Sequence, residues 1–278
     1  MLKITGKMDL NSIDFYMEIE APHVARKWKP GNFVILMLHE KGERIPESVY
    51  SVRDGRIGMF IRRHGKTTLE LYHRFKVGDY IYAISGPHGR EFPIKHYGTV
   101  IYASDAVCGH AENASFTQEL KKYDNYVISI QTFETGKEVY PEEFLAEKHA
   151  DEHYVTTLDG SAGVKGHYTD LISKIISERR VDLVLTGGSL AGMFKASELT
   201  KRHGIPNYAL VRTIMVDGTG MCGSCRVFYG GAVRFACVDG PVMNAHLIDW
   251  EDVMRRDKRF IEEQEKAKNL FLSKIIAR

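Results

Sequence analysis

The sequence predicts a β-barrel followed by a doubly wound parallel α/β domain, then a small cysteine-bearing segment and a helical tail. Three observations carry this prediction. Residues 1–96 contain short alternating apolar runs parted by Gly and Pro turns, the pattern of a small antiparallel barrel. From Gly98 onward, buried-strand runs alternate with helical stretches. Residues 212–245 are rich in glycine and hold three of the four cysteines.

Within the first part, Phe15, Met17 and Ile19 alternate with polar neighbours, as a half-buried strand requires. Lys29-Pro30-Gly31-Asn32 is a turn, and the apolar run 33–38 follows it. Residues 57–61 and 80–85 read as further strands, and a short helix fits 67–75. In the second part, strands are expected at 99–103, 127–132, 154–157, 181–186 and 208–211. Helices are expected at 111–122, near 141–148, and at 169–178 and 190–203. The expected domain limits are therefore 1–96, 97–211, 212–245 and 246–278. The cysteine segment itself offers little room for a hydrophobic core. In the tail, Trp250, Val253, Met254, Phe260, Ala267, Leu270, Phe271 and Ile275 recur at helical spacings among charged residues. Such a stripe either docks on a larger subunit or packs back on its own domains.

Composition narrows the function. At 278 residues the chain has room for about two domains. A formal net charge of +2 gives no electrostatic footprint for nucleic acid or an anionic membrane. No stretch approaches the roughly 18 apolar residues of a membrane span, and MLKITGKMDL lacks a signal-peptide core. A cytoplasmic protein is expected. Clustered cysteines in that setting point to metal or redox chemistry.

The cysteines form the pattern Asp217-x4-Cys222-x2-Cys225-x11-Cys237. Plant-type 2Fe–2S sites use C-x4-C-x2-C followed by a distant Cys. Here the spacing is kept and Asp stands at the first ligand position. The loop Gly218 to Cys225 carries the glycines that let a backbone wrap a cluster closely and aim N–H groups at sulfur. Three alternatives stand beside this reading: a Cys3Asp zinc site, unliganded thiols, and Cys108 in place of Asp217 as fourth ligand.

The run 215–227, MVDGTGMCGSCRV, with FACVDGP at 235–241, resembles the small (alpha) subunit of NADH-dependent reduced ferredoxin:NADP oxidoreductase, a family also called sulfide dehydrogenase, of the ferredoxin reductase-like superfamily. The likeness extends over essentially the whole chain. The electron-transfer subunit of dihydroorotate dehydrogenase is similar too, with Cys at the first ligand position. The resemblance implies a 2Fe–2S cluster on Asp217, Cys222, Cys225 and Cys237. It implies FAD on Arg44, Pro46 and Ser48 and on the pyrophosphate turn Gly65, Lys66, Thr67 and Thr68. The residue types suit a flavin nucleotide, because Arg offers a fork of donors to phosphate, and a Gly-led helix start offers N–H groups and a favourable dipole. It also implies a larger flavin and iron–sulfur subunit as partner, with ferredoxin reached through the complex, which bifurcates electrons. The related alternatives are a reductase subunit serving a sulfur, sulfite or glutamate-forming enzyme, and a docking module with a decayed nucleotide site. NAD(H) as substrate falls on Gly109, Glu134, Gly187 and Gly188. Here the sequence departs from expectation, because Ser104 to Glu112 lacks the G-x-G-x-x-G turn and brings in Asp105 and Glu112. Glu134 reads equally as a solvated loop carboxylate.

Overall fold

The computed structural model describes residues 1–276; the last two residues of the expected tail, 277 and 278, lie outside the described residues. The first part contains β1 (Leu2–Asp9), β2 (Asp14–Glu20), α1 (Pro22–Ala25), β3 (Phe33–Met37), β4 (Arg44–Arg53), β5 (Arg56–Arg62), α2 (Lys66–Arg74), β6 (Tyr80–Ile81) and β7 (Ala83–His88). Its strands run in the order β6-β1-β2-β5-β4-β3-β7. The two edge strands are neighbours in the chain, parted only by Tyr82, so the antiparallel sheet curls back on itself as a barrel. The alternation at Phe15, Met17 and Ile19 sets the β2–β5 register, which pairs them with Ile61, Met59 and Ile57, and all six are buried in one core.

The second part contains β8 (Thr99–Asp105), α3 (Ala106–Lys121), β9 (Tyr126–Phe133), β10 (Glu152–Thr157), β11 (Val164–Lys165), α4 (Tyr168–Glu178), β12 (Leu183–Gly187), α5 (Leu190–Arg202) and β13 (Asn207–Leu210). These strands are parallel, in the order β11-β10-β9-β8-β12-β13. The strand order reverses at β8–β12, the switch point where such sheets bind ligands. The helix expected near 141–148 is replaced by two 3-10 turns, Glu142–Phe144 and Ala146–His149. Leu145 between them is extended, and this break lets Phe144 and Leu145 both reach the core shared with Phe60 and Tyr140. Helix α3 starts at Ala106, five residues earlier than the apolar pattern predicts; Ala106 enters it with a positive φ of 60°.

The cysteine segment is a hairpin of β14 (Arg226–Tyr229) and β15 (Ala232–Phe235), followed by α6 (Ala236–Asp239) and β16 (Val242–Asn244). It does not lack a core, as its composition suggested. Strand β16 extends the parallel sheet antiparallel to β13. Cys225, Val227, Ala236 and Cys237 share a buried cluster with Phe33 of the barrel and Met193 of α5. The segment borrows its core from both neighbours.

The tail forms α7 (Trp250–Asp257) and α8 (Ile261–Ile276), and its apolar stripe is divided. Trp250 and Val253 are buried against the cysteine segment, and Phe271 is buried beneath α2, with the Arg74 guanidinium 5.0 Å from its ring centroid. Phe260 and Leu270 remain exposed. The barrel and the second part are clamped by Asp14, which accepts both Arg62 hydrogen bonds at 2.8 and 2.9 Å and one from Tyr140 at 2.8 Å. Among the described residues no helix is long and apolar enough to cross a membrane.

Candidate functional site

A cleft of about 550 Å³ opens where the barrel, the α/β part, the cysteine segment and the tail meet. Strand β4 supplies Pro46 and Ser48, and His64 precedes the first turn of α2. Residues 210–215, which lead out of β13, form the opposite wall. Ile261, Gln264 and Glu265 of α8 lie across it. Because strand residues alternate, Arg44, Pro46 and Ser48 share one side of β4, while Ile45 and Val49 enter the barrel core. Arg44 is exposed at the start of the strand. At the α2 start, the Thr68 hydroxyl accepts from the Gly65 and His64 N–H groups at 3.2 Å each. Lys66 Nζ pairs with Glu70 at 2.7 Å, and the Thr67 hydroxyl donates to Glu43. Pro46 and Ser48 of the first flavin-like segment thus line the cleft, while of the second segment only its neighbour His64 does; Arg44, Gly65, Lys66, Thr67 and Thr68 do not line it, and the Lys66 charge is already partnered.

Cys108, in the first turn of α3, also lines this cleft, and burial pushes its thiol up. It faces the cleft, while Cys225 and Cys237 share the segment core. Residues that the sequence reading passed over are Phe33, Arg212 and the α8 side chains. Their shared signal is only positional, since they lie far apart in the chain.

In the cysteine loop, the Asp217 carboxylate accepts from the Thr219 N–H at 2.7 Å and the Cys222 N–H at 2.6 Å. These bonds hold it below its usual range, the Thr219 bond most strongly and against partial desolvation. Gly218, Gly220 and Gly223 have φ of 75°, 85° and 64°, the left-handed region that admits glycine without strain. Cys225 Sγ and Cys237 Sγ are buried 3.2 Å apart, a non-bonded pair, and Cys222 is exposed. Burial, and after it Cys225, pushes the Cys237 thiol up to about 12. Among the described residues no three His, Cys, Asp or Glu side chains already converge on one point. The donor set, three soft thiolates and one oxygen on a glycine-freed loop, suits an iron–sulfur cluster. The loop also touches the barrel, since a Cβ on Gly218 would lie 2.8 Å from the His88 ring, which itself packs at 5.6 Å against Phe33 of the cleft. Met215 lines the cleft two residues before Asp217.

At the switch point the expected glycines meet. A Cβ on Gly109 would lie 2.3 Å from Gly187 O, so these glycines let α3 and the end of β12 touch backbone to backbone. Gly188 follows with φ 123°. Glu134 is exposed just past β9, one strand away. The space at the start of α5 is filled by Asp105, which accepts from Ser189 N at 2.6 Å and Ser189 Oγ at 2.5 Å and contacts His167 Nε2 at 3.0 Å. Burial alone would raise its pKa, but His167 and Ser189 outweigh burial and keep it below the usual value. The carboxylate occupies the helix N-terminus where a phosphate would bind.

Comparison with known proteins bears on the cysteine segment and on the fold. Residues 212–249 match the family model of the iron–sulfur cluster binding domain of dihydroorotate dehydrogenase B. The chain is 34% identical to a Thermotoga maritima homologue of the dihydroorotate dehydrogenase B (NAD(+)) electron transfer subunit, over 97% of this chain and 95% of that protein. A solved structure of NADH-dependent reduced ferredoxin-NADP oxidoreductase superposes with a TM-score of 0.91 at 34% identity, covering 98% of each chain. Ferredoxin-NADP+ reductase from Plasmodium falciparum shares the fold alone, with a TM-score of 0.59 at 16% identity over 73% of this chain and 93% of that one.

Proposed function

The chain belongs to the family of dihydroorotate dehydrogenase B electron transfer subunits and their homologues, and from that premise we propose that it passes electrons between NAD(H), FAD and a 2Fe–2S cluster in a ferredoxin:NADP oxidoreductase complex. It is an oxidoreductase subunit with a ferredoxin reductase-like fold and an iron–sulfur binding segment. The observation that carries the finer reading is the shared wall: residues 210–215 line the cleft and run directly into Asp217. Electron transfer needs such proximity. When bound, a flavin takes a hydride pair and a 2Fe–2S cluster carries one electron at a time. Pro46, Ser48 and the turn Gly65, Lys66, Thr67 and Thr68 would hold the flavin, with Arg44 on a phosphate. Asp217, Cys222, Cys225 and Cys237 would hold the cluster, and Gly109, Glu134, Gly187 and Gly188 would border the nicotinamide. The proposed division of labour follows residues 1–96, 97–211, 212–245 and 246–278. Only Cys108 remains outside the ligand set, so the chain has no thiols for a second cluster and cannot bifurcate alone. A larger flavin and iron–sulfur subunit is the partner in this reading, the complex reaches ferredoxin, and the location is cytoplasmic.

Anaerobically purified protein is expected to hold about two irons and two sulfides and to give an S = 1/2 signal on reduction. Asp217→Cys is expected to keep the cluster and shift its potential, because a thiolate replaces an oxygen donor. Stoichiometric zinc without iron refutes the cluster, and an unchanged potential removes Asp217 from the ligands. One observation favours a second reading, a docking module with a weak nucleotide site: Asp105 fills the start of α5. Bleaching of the bound flavin by NADH separates the two.

A further inference from the structure

Behind the cysteine loop stand three guanidinium groups, that of Arg226 exposed, and among the described residues none has a carboxylate within hydrogen-bonding distance, the Asp252 carboxylate standing 4.0 Å from Arg256. Arg226 directly follows Cys225, and its Nη1 would lie 3.4 Å from a Cβ on Gly223, so it folds back over the loop. Arg259, in the short link between α7 and α8, donates from Nη2 to the Ser224 carbonyl at 3.0 Å. Arg256 shares a small cavity with both. Its Nε and Nη2 are buried without a hydrogen-bond partner among the described residues. The neighbouring acids are engaged elsewhere. Asp252 is held by Arg255 and reaches Arg256 only at 4.0 Å, and Asp257 pairs with Arg212 at 3.3 Å. Burial, and after it Arg259 and Arg226, depress Arg256 below its usual value, as crowded like charges must.

Buried donors of this kind call for an explanation. The cavity, about 10 Å³, is too small for a phosphate or a carboxylate from outside. The nearby source of negative charge is the loop itself. Two bridging sulfides, three thiolates and one carboxylate around two ferric ions would leave a net negative site, and an added electron would make it more negative by one, with no proton and no bond change.

We propose that Arg226, Arg256 and Arg259 form a cationic cradle behind the loop that compensates this charge and raises the reduction potential of the cluster. The inference rests on the 2Fe–2S reading above. Charge near a cluster and hydrogen bonds around it are established levers on its potential. These arginines are tuning residues; the cluster ligands remain Asp217 and the three cysteines.

The test is an anaerobic redox titration of the full-length protein, followed by the paramagnetic signal of the reduced cluster, with dithionite as reductant. R226Q, R256Q and R259Q are each expected to weaken the electron affinity of the cluster about three- to tenfold; tenfold is a fall of 59 mV for a one-electron couple. R256K is expected to restore most of the R256Q loss, because it returns the charge without the guanidinium geometry. Parent-like potentials in R226Q and R256Q at full iron content overturn the proposal. So does an R256K potential as low as that of R256Q. Should a Gln variant lose its iron, iron retention decides: retention in the Lys counterpart supports the charge role, and loss there too overturns it. A parent protein without iron and sulfide refutes the cluster reading itself, before any substitution is compared.

Discussion

Phe271→Ala tests whether α8 is part of the wall of the cleft or a free arm. Phe271 is 6% exposed beneath α2, with the Arg74 guanidinium 5.0 Å from its ring centroid. Burying such a side chain contributes about 1.5–3 kcal/mol, and a partly exposed cation–π contact adds about 0.5–1 kcal/mol. The substitution should therefore weaken the docking of α8 by about 2–4 kcal/mol, or roughly 30- to 1,000-fold in its equilibrium constant. Hydrogen exchange reads this directly. Amides of α8 (Ile261–Ile276) should lose protection by about that factor, while β2 and β5 keep theirs. Because Ile261, Gln264 and Glu265 line the cleft, flavin should also dissociate faster. Unchanged α8 exchange would falsify the reasoning, since the helix would then be held by other contacts. Faster exchange with unchanged flavin release would show that α8 lies over the cleft without contributing to retention.

Three further outcomes follow from buried charge. Arg62→Ala strands the Asp14 carboxylate, which is 1% exposed, and should cost about 3–5 kcal/mol by urea denaturation; Tyr140→Phe should cost only about 1 kcal/mol, and equal costs would refute the ion-pair argument. Asp105→Asn keeps the shape at the start of α5 but removes its charge, so NADH should bind roughly tenfold tighter, from Coulomb's law at a separation on the order of 10 Å and an effective dielectric near 20; titration showing equal or weaker affinity counts against Asp105 as the obstacle. Burial drives His110 from 6.5 to about 4. Between those values the unfolded chain binds the extra proton, so the contribution of His110 is present above pH 6.5 and is lost as pH falls toward 4. Urea midpoints should drop over that window and drop less in His110→Phe, and a midpoint that rises with acid would contradict the sign.

Much was legible from local pattern. Period-two alternation at Phe15, Met17 and Ile19 and the strand–helix alternation after Gly98 describe adjacent residues, and their strands appear where the pattern puts them, while α3 starts five residues early. The spacing from Asp217 to Cys237 is equally local, and comparison with relatives supports an iron–sulfur segment there. Where packing across the chain competes with local pattern, the pattern loses. Residues 141–148 had helical spacing, but burying both Phe144 and Leu145 against Phe60 broke the helix into two turns.

By itself, then, the sequence determined which segments alternate as strand or helix, and which carry thiols, because side-chain order and spacing are properties of the chain alone. Tertiary structure decided what the segments share. It gave the cysteine segment a core through Phe33 and Met193, laid α8 against α2 and across the cleft, and placed Asp105 at the start of α5. Each of these joins residues tens to hundreds of positions apart. Their contacts are chosen by which apolar faces must be covered and which buried charges must be paired, and that becomes readable only once the chain has closed on itself.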